Sequence, residues 1–178
     1  EAALQTAISA DEGSAAGYYA LATLQQESGR FAEAERTLSK ALSLRPNHAE
    51  SHCNLGIVLK GLKKFDEAEA CHRCAISLNA DFGEAHNNLG NVLKEVGRLK
   101  EAELAYRRAT QLLPKVPEVF DNLGLTLAAM GKFKNAEQNY RRAIALAPSQ
   151  PAPHLHLGDC LMHCGRIVEG LREQLIGS

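Results

Sequence analysis

Apolar and small residues recur along the chain at intervals of 34 residues. The most regular position is a leucine followed directly by alanine or glycine, and its copies are Leu21, Leu55, Leu89, Leu123 and Leu157. Thirteen positions after each leucine stands another small residue, namely Ala34, Ala68, Ala102, Ala136 and Gly170. This pattern predicts two amphipathic helices in each 34-residue segment. The small residues indicate that the two helices approach each other closely.

A short turn separates the two predicted helices and reads "GRF", "KKF", "GRL", "GKF" and "GRI" in the five segments. Glycine commonly ends a helix because it adopts positive φ without a steric penalty. The turn glycines are Gly29, Gly97, Gly131 and Gly165, and Lys63 replaces the glycine in one segment. Proline cannot continue a helix, so the second helix of three segments should stop before Pro46, Pro114 or Pro148.

This pattern resembles the tetratricopeptide repeat, which has the same period, with Leu-Gly in its first helix, Ala in its second and Pro at its end. The resemblance implies an all-α solenoid, a right-handed superhelix of antiparallel helix pairs. The predicted repeats are 15–48, 49–82, 83–116, 117–150 and a truncated 151–178. Residues 1–14 are predicted to be the second helix of an incomplete repeat, because Leu4, Ala7 and Ile8 align with Leu38, Ala41 and Leu42. Eleven helices and no strand are therefore expected, in a fragment of a longer array.

The phrases "NLGNVLKE" and "AYRRA" are similar to the tetratricopeptide region of O-linked N-acetylglucosamine transferase. In this family the first helices line a concave surface. On a helical projection of "HNNLGNVLKE", Asn87, Asn88 and Asn91 lie on that side, away from the leucines of the core. The resemblance implies that these amides bind a polypeptide in extended conformation.

Asparagine stands immediately before the leucine in three repeats, as Asn54, Asn88 and Asn122, and His156 takes this place in the last. A side-chain amide offers both a donor and an acceptor, so it can bond a peptide group without reading the side chains of the ligand. We therefore predict a ladder of amides in the groove. The competing interpretation is that the amides bond between adjacent first helices and set their pitch. The other predicted ligand-binding residues are Asn87, Asn91, Lys60, Lys94 and Asp121.

The charges are nearly balanced, with 20 Lys and Arg against 21 Asp and Glu. This balance argues against binding of nucleic acid or of an anionic membrane, both of which need a positive surface. Acidic residues predominate on the first helices, namely Glu50, Glu84, Glu118, Asp121 and Asp159, whereas arginines are frequent on the second helices. We therefore expect an acidic groove that prefers neutral or basic ligands, and a basic outer face.

The chain contains no apolar stretch of transmembrane length and no signal-peptide pattern at its N-terminus. Its five cysteines form no disulfide framework, which favours reduced thiols and an intracellular, cytoplasmic location. Cys160 and Cys164 align with apolar positions of other repeats and are predicted to lie in the core. In "CHRC", Cys71 and Cys74 lack further ligands, so no metal and no cofactor is expected.

No catalytic motif is present, so we do not expect this chain to be an enzyme, although a parent protein could be one. The leading hypothesis is an interaction scaffold that binds a protein or peptide in its groove. A second is self-assembly into homo-oligomers through array ends or convex faces. A third is a substrate-recruiting arm of a larger enzyme such as a glycosyltransferase.

Overall fold

A computed structural model describes residue 6 and residues 13–178 of the chain. Within these residues there are ten α-helices and no strand. The helices are α1 (Ala15–Glu27), α2 (Phe31–Leu44), α3 (Ala49–Gly61), α4 (Phe65–Leu78), α5 (Gly83–Glu95), α6 (Leu99–Leu112), α7 (Pro117–Ala129), α8 (Phe133–Leu146), α9 (Pro151–His163) and α10 (Ile167–Ile176). The predicted all-α repeat fold is thereby confirmed. The helix predicted from Leu4, Ala7 and Ile8 lies outside the described residues.

The chain forms two compact units, residues 1–92 (unit 1) and residues 93–178 (unit 2), whose boundary falls within α5. In unit 1, α2 packs against α1 and α3, and α3 packs against α4. In unit 2, α6 to α9 each pack against the next helix along the chain, and α7 also contacts α9. The odd-numbered helices are the predicted first helices of the repeats, and the even-numbered helices are the second helices.

Left-handed backbone ends each first helix, as the turn pattern predicts. The four turn glycines have φ between 72° and 79°. Lys63, which replaces the turn glycine after α3, takes the same conformation with φ of 61°. The Lys64 N–H closes this turn on the Leu59 carbonyl at 2.9 Å, as the Arg98 N–H does on the Leu93 carbonyl at 2.8 Å, so the turn does not depend on glycine alone.

The small residues allow close approach of paired helices, as expected. A Cβ atom at Gly124 would lie 2.5 Å from the ring of Tyr140, and one at Gly56 would lie 2.5 Å from the ring of His72. In the last pair, a Cβ at Gly170 would lie 2.7 Å from the backbone oxygen of Gly158. The α9–α10 pair is therefore held in direct backbone contact.

Three histidines share one repeat position, 34 residues apart. The Nε2 atoms of His52, His86 and His154 lie 2.8, 3.0 and 3.0 Å from the carbonyl oxygens of Pro46, Ala80 and Pro148. The fourth repeat has Phe120 at this position, and the Arg142 guanidinium lies 5.8 Å from its ring and donates to the Pro114 carbonyl at 3.5 Å. These histidines therefore tie three of the first helices, α3, α5 and α9, to the loops before them.

An ion pair also links second helices of successive repeats within each unit. Lys64 bonds Glu35 and Lys132 bonds Glu103, both at 2.6 Å, while Arg166 bonds Glu137 at 2.9 Å. We call these three pairs the clamps. The hydrogen bond from Lys132 holds the pKa of Glu103 below its usual value.

The glutamates of the second helices also pair with arginines one turn later on the same helix. These pairs are Glu69–Arg73, Glu103–Arg107 and Glu137–Arg141, at 2.8, 2.8 and 3.0 Å. The predicted basic outer face therefore also carries acidic groups, and these neutralise three of its arginines locally.

Candidate functional site

The predicted asparagines of unit 1 are partly buried on α3 and α5. Asn88 donates from Nδ2 to the Cys53 sulfur at 3.6 Å, and Asn91 donates to Asn88 Oδ1 at 3.5 Å. Asn87 and Asn54 are also partly buried, and among the described residues the Asn54 amide has no hydrogen-bond partner. Asn88 thus makes a contact between adjacent first helices, as the pitch-setting interpretation requires, whereas Asn54 does not.

In unit 2 the predicted residues Asp121, Asn122 and His156 are partly buried on α7 and α9. His156 Nδ1 lies 2.8 Å from Asp121 Oδ1, so these two side chains join adjacent first helices. The His156 ring also lies against Tyr140, with 5.8 Å between the ring centroids. The histidine that replaces the asparagine of other repeats is therefore fixed in orientation by a carboxylate.

The two predicted lysines, Lys60 and Lys94, lie in the last turns of α3 and α5 and are partly buried. A basic residue in the last turn of a helix interacts favourably with the partial negative charge there. Their positions are consistent with a stabilising role as well as with ligand binding.

A cavity of about 380 Å³ lies between the helices α7, α8 and α9 of unit 2. We call it the α7–α9 cavity, and it is lined by Leu125, Ala128, Phe133, Tyr140, His156, Asp159, Cys160 and His163. The His163 ring stacks on Phe133, with centroids 5.4 Å apart and an interplanar angle of 15°. The cavity therefore combines an apolar and aromatic wall with polar groups.

Two of the polar groups in the α7–α9 cavity are held by hydrogen bonds. Gln174 donates to Asp159 Oδ1 at 2.7 Å, and the Cys160 thiol donates to the Phe133 carbonyl at 3.3 Å. Burial raises the pKa of Cys160 to about 11, so this thiol is protonated at neutral pH. The cavity thus has an apolar wall beside hydrogen-bonding groups, and its cysteine is not a thiolate at neutral pH.

His163, Asp159 and Leu125 are cavity residues that were not among the predicted ligand-binding residues. The sequence places His163 on the groove side together with His156, because it follows His156 by seven residues and such residues share a helix face. The contribution of α8 to the cavity could not be predicted from the sequence, since it depends on how Phe133 and Tyr140 pack between α7 and α9.

The cysteines follow their predictions only in part. Cys160 is buried, but Cys164 is exposed at the C-terminal end of α9, so its predicted place in the core is wrong. Cys164 is the C-cap residue just beyond α9, and its side chain is shorter than those of Leu62 and Met130, which are partly buried at the same position of other repeats. In "CHRC", His72 is buried against Gly56, while Cys71 and Cys74 are only partly buried. In the part of the chain that the structure describes, no three His, Cys, Asp or Glu side chains are grouped so as to hold a metal ion.

None of the described helices is long and apolar enough to cross a membrane.

Comparison with protein families matches the chain to two models, both described as tetratricopeptide repeat. One covers residues 13–81 and 48–115, and the other covers residues 127–172. No curated protein matches the sequence.

Several solved structures share the fold. PilF from Pseudomonas aeruginosa is 27% identical, with a TM-score of 0.85 over 94% of this chain and 76% of that chain. MamA from Desulfovibrio magneticus RS-1 is 20% identical, with a TM-score of 0.83 over 92% of both chains. YrrB, described as a TPR protein with an unusual peptide-binding site, is 21% identical, with a TM-score of 0.78 over 98% of this chain and 90% of that chain.

Proposed function

Because this chain belongs to the tetratricopeptide repeat family, we propose that it is a protein-interaction module that binds an extended polypeptide on the faces of its first helices. The observation that carries the proposal is the α7–α9 cavity, which opens between two first helices and includes His156 from the predicted ladder position. YrrB, a protein of the same fold, is described as having a peptide-binding site. The proposal assigns binding to this chain and no catalysis.

The α7–α9 cavity is suited to one large side chain of the ligand. Binding cavities typically have apolar walls and a few placed polar groups that fix orientation. Here Phe133 and Leu125 offer apolar contact, while His163 and Asp159 offer hydrogen bonds. We infer that the preferred side chain is aromatic or long and apolar.

The amides of unit 1 are suited to the backbone of the ligand. Asn54 and Asn88 occupy the same repeat position, and Asn91 bonds the oxygen of Asn88 and so orients its amide. Each hydrogen bond to a peptide group contributes about 0.5–1.5 kcal/mol net. The amides therefore support binding that is independent of ligand sequence, and a side-chain pocket adds selectivity.

Acidic groups on the first helices favour a ligand without negative charge. Glu50 and Glu84 are exposed at the start of α3 and α5, and Glu118 is exposed at the start of α7, where it accepts a hydrogen bond from Gln150. Asp159 adds a further carboxylate at the α7–α9 cavity. We therefore infer that neutral or basic residues flank the anchoring side chain.

A role as the substrate-recruiting arm of a larger enzyme stays a second proposal. Its support is the likeness of "NLGNVLKE" and "AYRRA" to the repeat region of O-linked N-acetylglucosamine transferase. Such an arm would use the same first-helix faces, and any chemistry would lie in other parts of the parent protein. The sequence of that parent protein decides this point.

Selection from a random peptide library on the immobilised chain tests the proposed function. We expect extended peptides with an aromatic or large apolar residue and few acidic residues. Ala128→Arg introduces a long side chain into the α7–α9 cavity and should weaken a selected peptide by more than about tenfold, since a filled pocket removes roughly 1.5 kcal/mol or more of apolar contact.

The matched control is Gln138→Arg, which adds the same side chain at an exposed position on α8. It should leave the dissociation constant unchanged. Equal effects of the two substitutions, or a selection that enriches no peptide, would contradict the proposed function.

A further inference from the structure

The last helix, α10, carries exposed apolar residues along one side. Val168, Leu171, Leu175 and Ile176 are 67%, 50%, 79% and 61% exposed. We call these four residues the outer stripe. The opposite side of α10 packs against α9 through Gly170. A surface helix normally turns its apolar side to the core, so an apolar stripe on the solvent side indicates a partner surface.

The outer stripe replaces charged residues at the same repeat positions. The corresponding residues of α8, 34 positions earlier, are Lys134, Glu137, Arg141 and Arg142. In particular, the Glu137–Arg141 pair at 3.0 Å becomes Leu171 and Leu175. Four charged positions have thus become apolar on one helix, which a structural role within the repeat does not explain.

A further helix packed in the manner of α9 would leave three of the four stripe residues uncovered and would cover Leu171 in part, since the side chain of the equivalent Glu137 is 19% exposed. In α8, which α9 does cover, Lys134, Arg141 and Arg142 are still exposed. Glu137 is the clamp partner of Arg166 in the next turn, and Leu171 cannot make such an ion pair. The stripe therefore fits an apolar partner on the outer face better than it fits another repeat of this kind.

We propose that the outer stripe is a homodimer interface, in which α10 packs against α10 of a second copy of this chain. Val168, Leu171 and Leu175 are spaced three and four residues apart, which is the spacing of core positions in paired helices. Two exposed charges of opposite sign adjoin these residues, Glu169 and Arg172, whereas Arg166 is paired with Glu137 and Glu173 with His154. A rim of both signs does not repel its own copy and does not select a strongly charged partner.

The dimer goes beyond the proposed function, because the outer stripe lies on a second helix and leaves the first-helix faces open. An interface built on a ten-residue helix about 15 Å long is small. Small interfaces give transient association, so we expect a reversible dimer in the micromolar range. Two joined copies would bind a ligand with repeated motifs more tightly than one copy through avidity.

Sedimentation equilibrium of the 178-residue chain, from low micromolar to near-millimolar concentration, tests the proposal. We expect reversible dimerisation. The double variant Leu171→Glu with Leu175→Arg restores the charged pair found in α8, and it should raise the dimer dissociation constant by about 100-fold or more. Val168→Lys, which restores the residue type of Lys134, should weaken the dimer with less risk to the fold.

The control is Leu104→Glu, which removes an isolated leucine of α6 that is 69% exposed and should leave dimerisation unchanged. Circular dichroism and binding of a selected peptide establish that each variant is folded, and they separate a failure of this proposal from a failure of the proposed function. A wild-type chain that is monomeric at all concentrations overturns the dimer, and so does a dimer that survives the double variant with unchanged affinity.

Discussion

The His72→Phe variant is expected to be more stable than the wild-type chain, with a larger gain at pH 5 than at pH 7. His72 is fully buried in unit 1, and neither ring nitrogen has a hydrogen-bond partner. A buried polar group without a partner costs about 1–3 kcal/mol, and phenylalanine removes that cost. An aromatic six-membered ring fits this repeat position, because Tyr140 lies against Gly124 with the same 2.5 Å approach that His72 makes to Gly56.

The pH dependence follows from burial, which lowers the pKa of His72 from 6.5 to about 4, with a smaller contribution from Lys60. Below pH 6.5 the unfolded chain binds a proton at this residue, but the folded chain does not until about pH 4. Acid therefore favours unfolding in this window. The contribution of neutral His72 to the free energy of unfolding is fully present above pH 6.5. It falls by about 2 kcal/mol between pH 6.5 and pH 5, at 1.36 kcal/mol per pH unit.

Urea unfolding at pH 7 and pH 5 measures both effects. The wild-type chain should lose stability between these values, and His72→Phe should lose about 2 kcal/mol less. The control is His86→Phe, which removes a histidine whose Nε2 is bonded to the Ala80 carbonyl. His86→Phe should not be more stable than the wild-type chain, because the removed ring nitrogen had a hydrogen-bond partner. Equal pH dependence of wild type and His72→Phe would contradict the assignment.

Replacing both Asn54 and Asn88 with alanine is expected to weaken a selected peptide by about 10- to 100-fold, which corresponds to the loss of two or three net hydrogen bonds. The fold should persist, because alanine is a better helix former than asparagine. The affinity is measured by calorimetric titration and the fold by thermal unfolding. The pitch-setting interpretation predicts the reverse, namely a lower melting temperature with unchanged affinity.

The single variants separate the two interpretations further, because the amides differ in their contacts. Asn88 bonds the Cys53 sulfur, whereas the Asn54 amide has no partner within the described part of the chain. Asn54→Ala should therefore reduce affinity without affecting stability. If Asn54→Ala leaves the dissociation constant unchanged, Asn54 has no part in the site.

The helices and their turns were predictable because each depends on local chemistry repeated at fixed spacing. The turn glycines, the prolines and the leucine–glycine pairs each specify a boundary or a close contact without knowledge of neighbouring repeats. Lys63 shows the limit of such reasoning, since it takes a positive φ of 61° although it is not glycine.

Contacts between repeats were not predictable in the same way. The clamp from Lys132 to Glu103 joins residues 29 positions apart, and the His156–Asp121 pair joins residues 35 positions apart. Which of several nearby charged residues meet depends on the crossing of the helices that carry them. The α7–α9 cavity likewise results from three helices together, so the sequence indicated only one of its polar residues, His156, as ligand-binding.

Hydrogen–deuterium exchange of the chain with and without a selected peptide tests the central claim most directly. If the first-helix faces bind an extended polypeptide, the peptide should slow exchange in α3, α7 and α9, including the segment from Asp121 to Ala128 and the segment around His156. The second helices α4 and α6, which contribute no residue to the α7–α9 cavity, should exchange as before. Protection confined to these second helices, with α7 and α9 unchanged, would contradict the account.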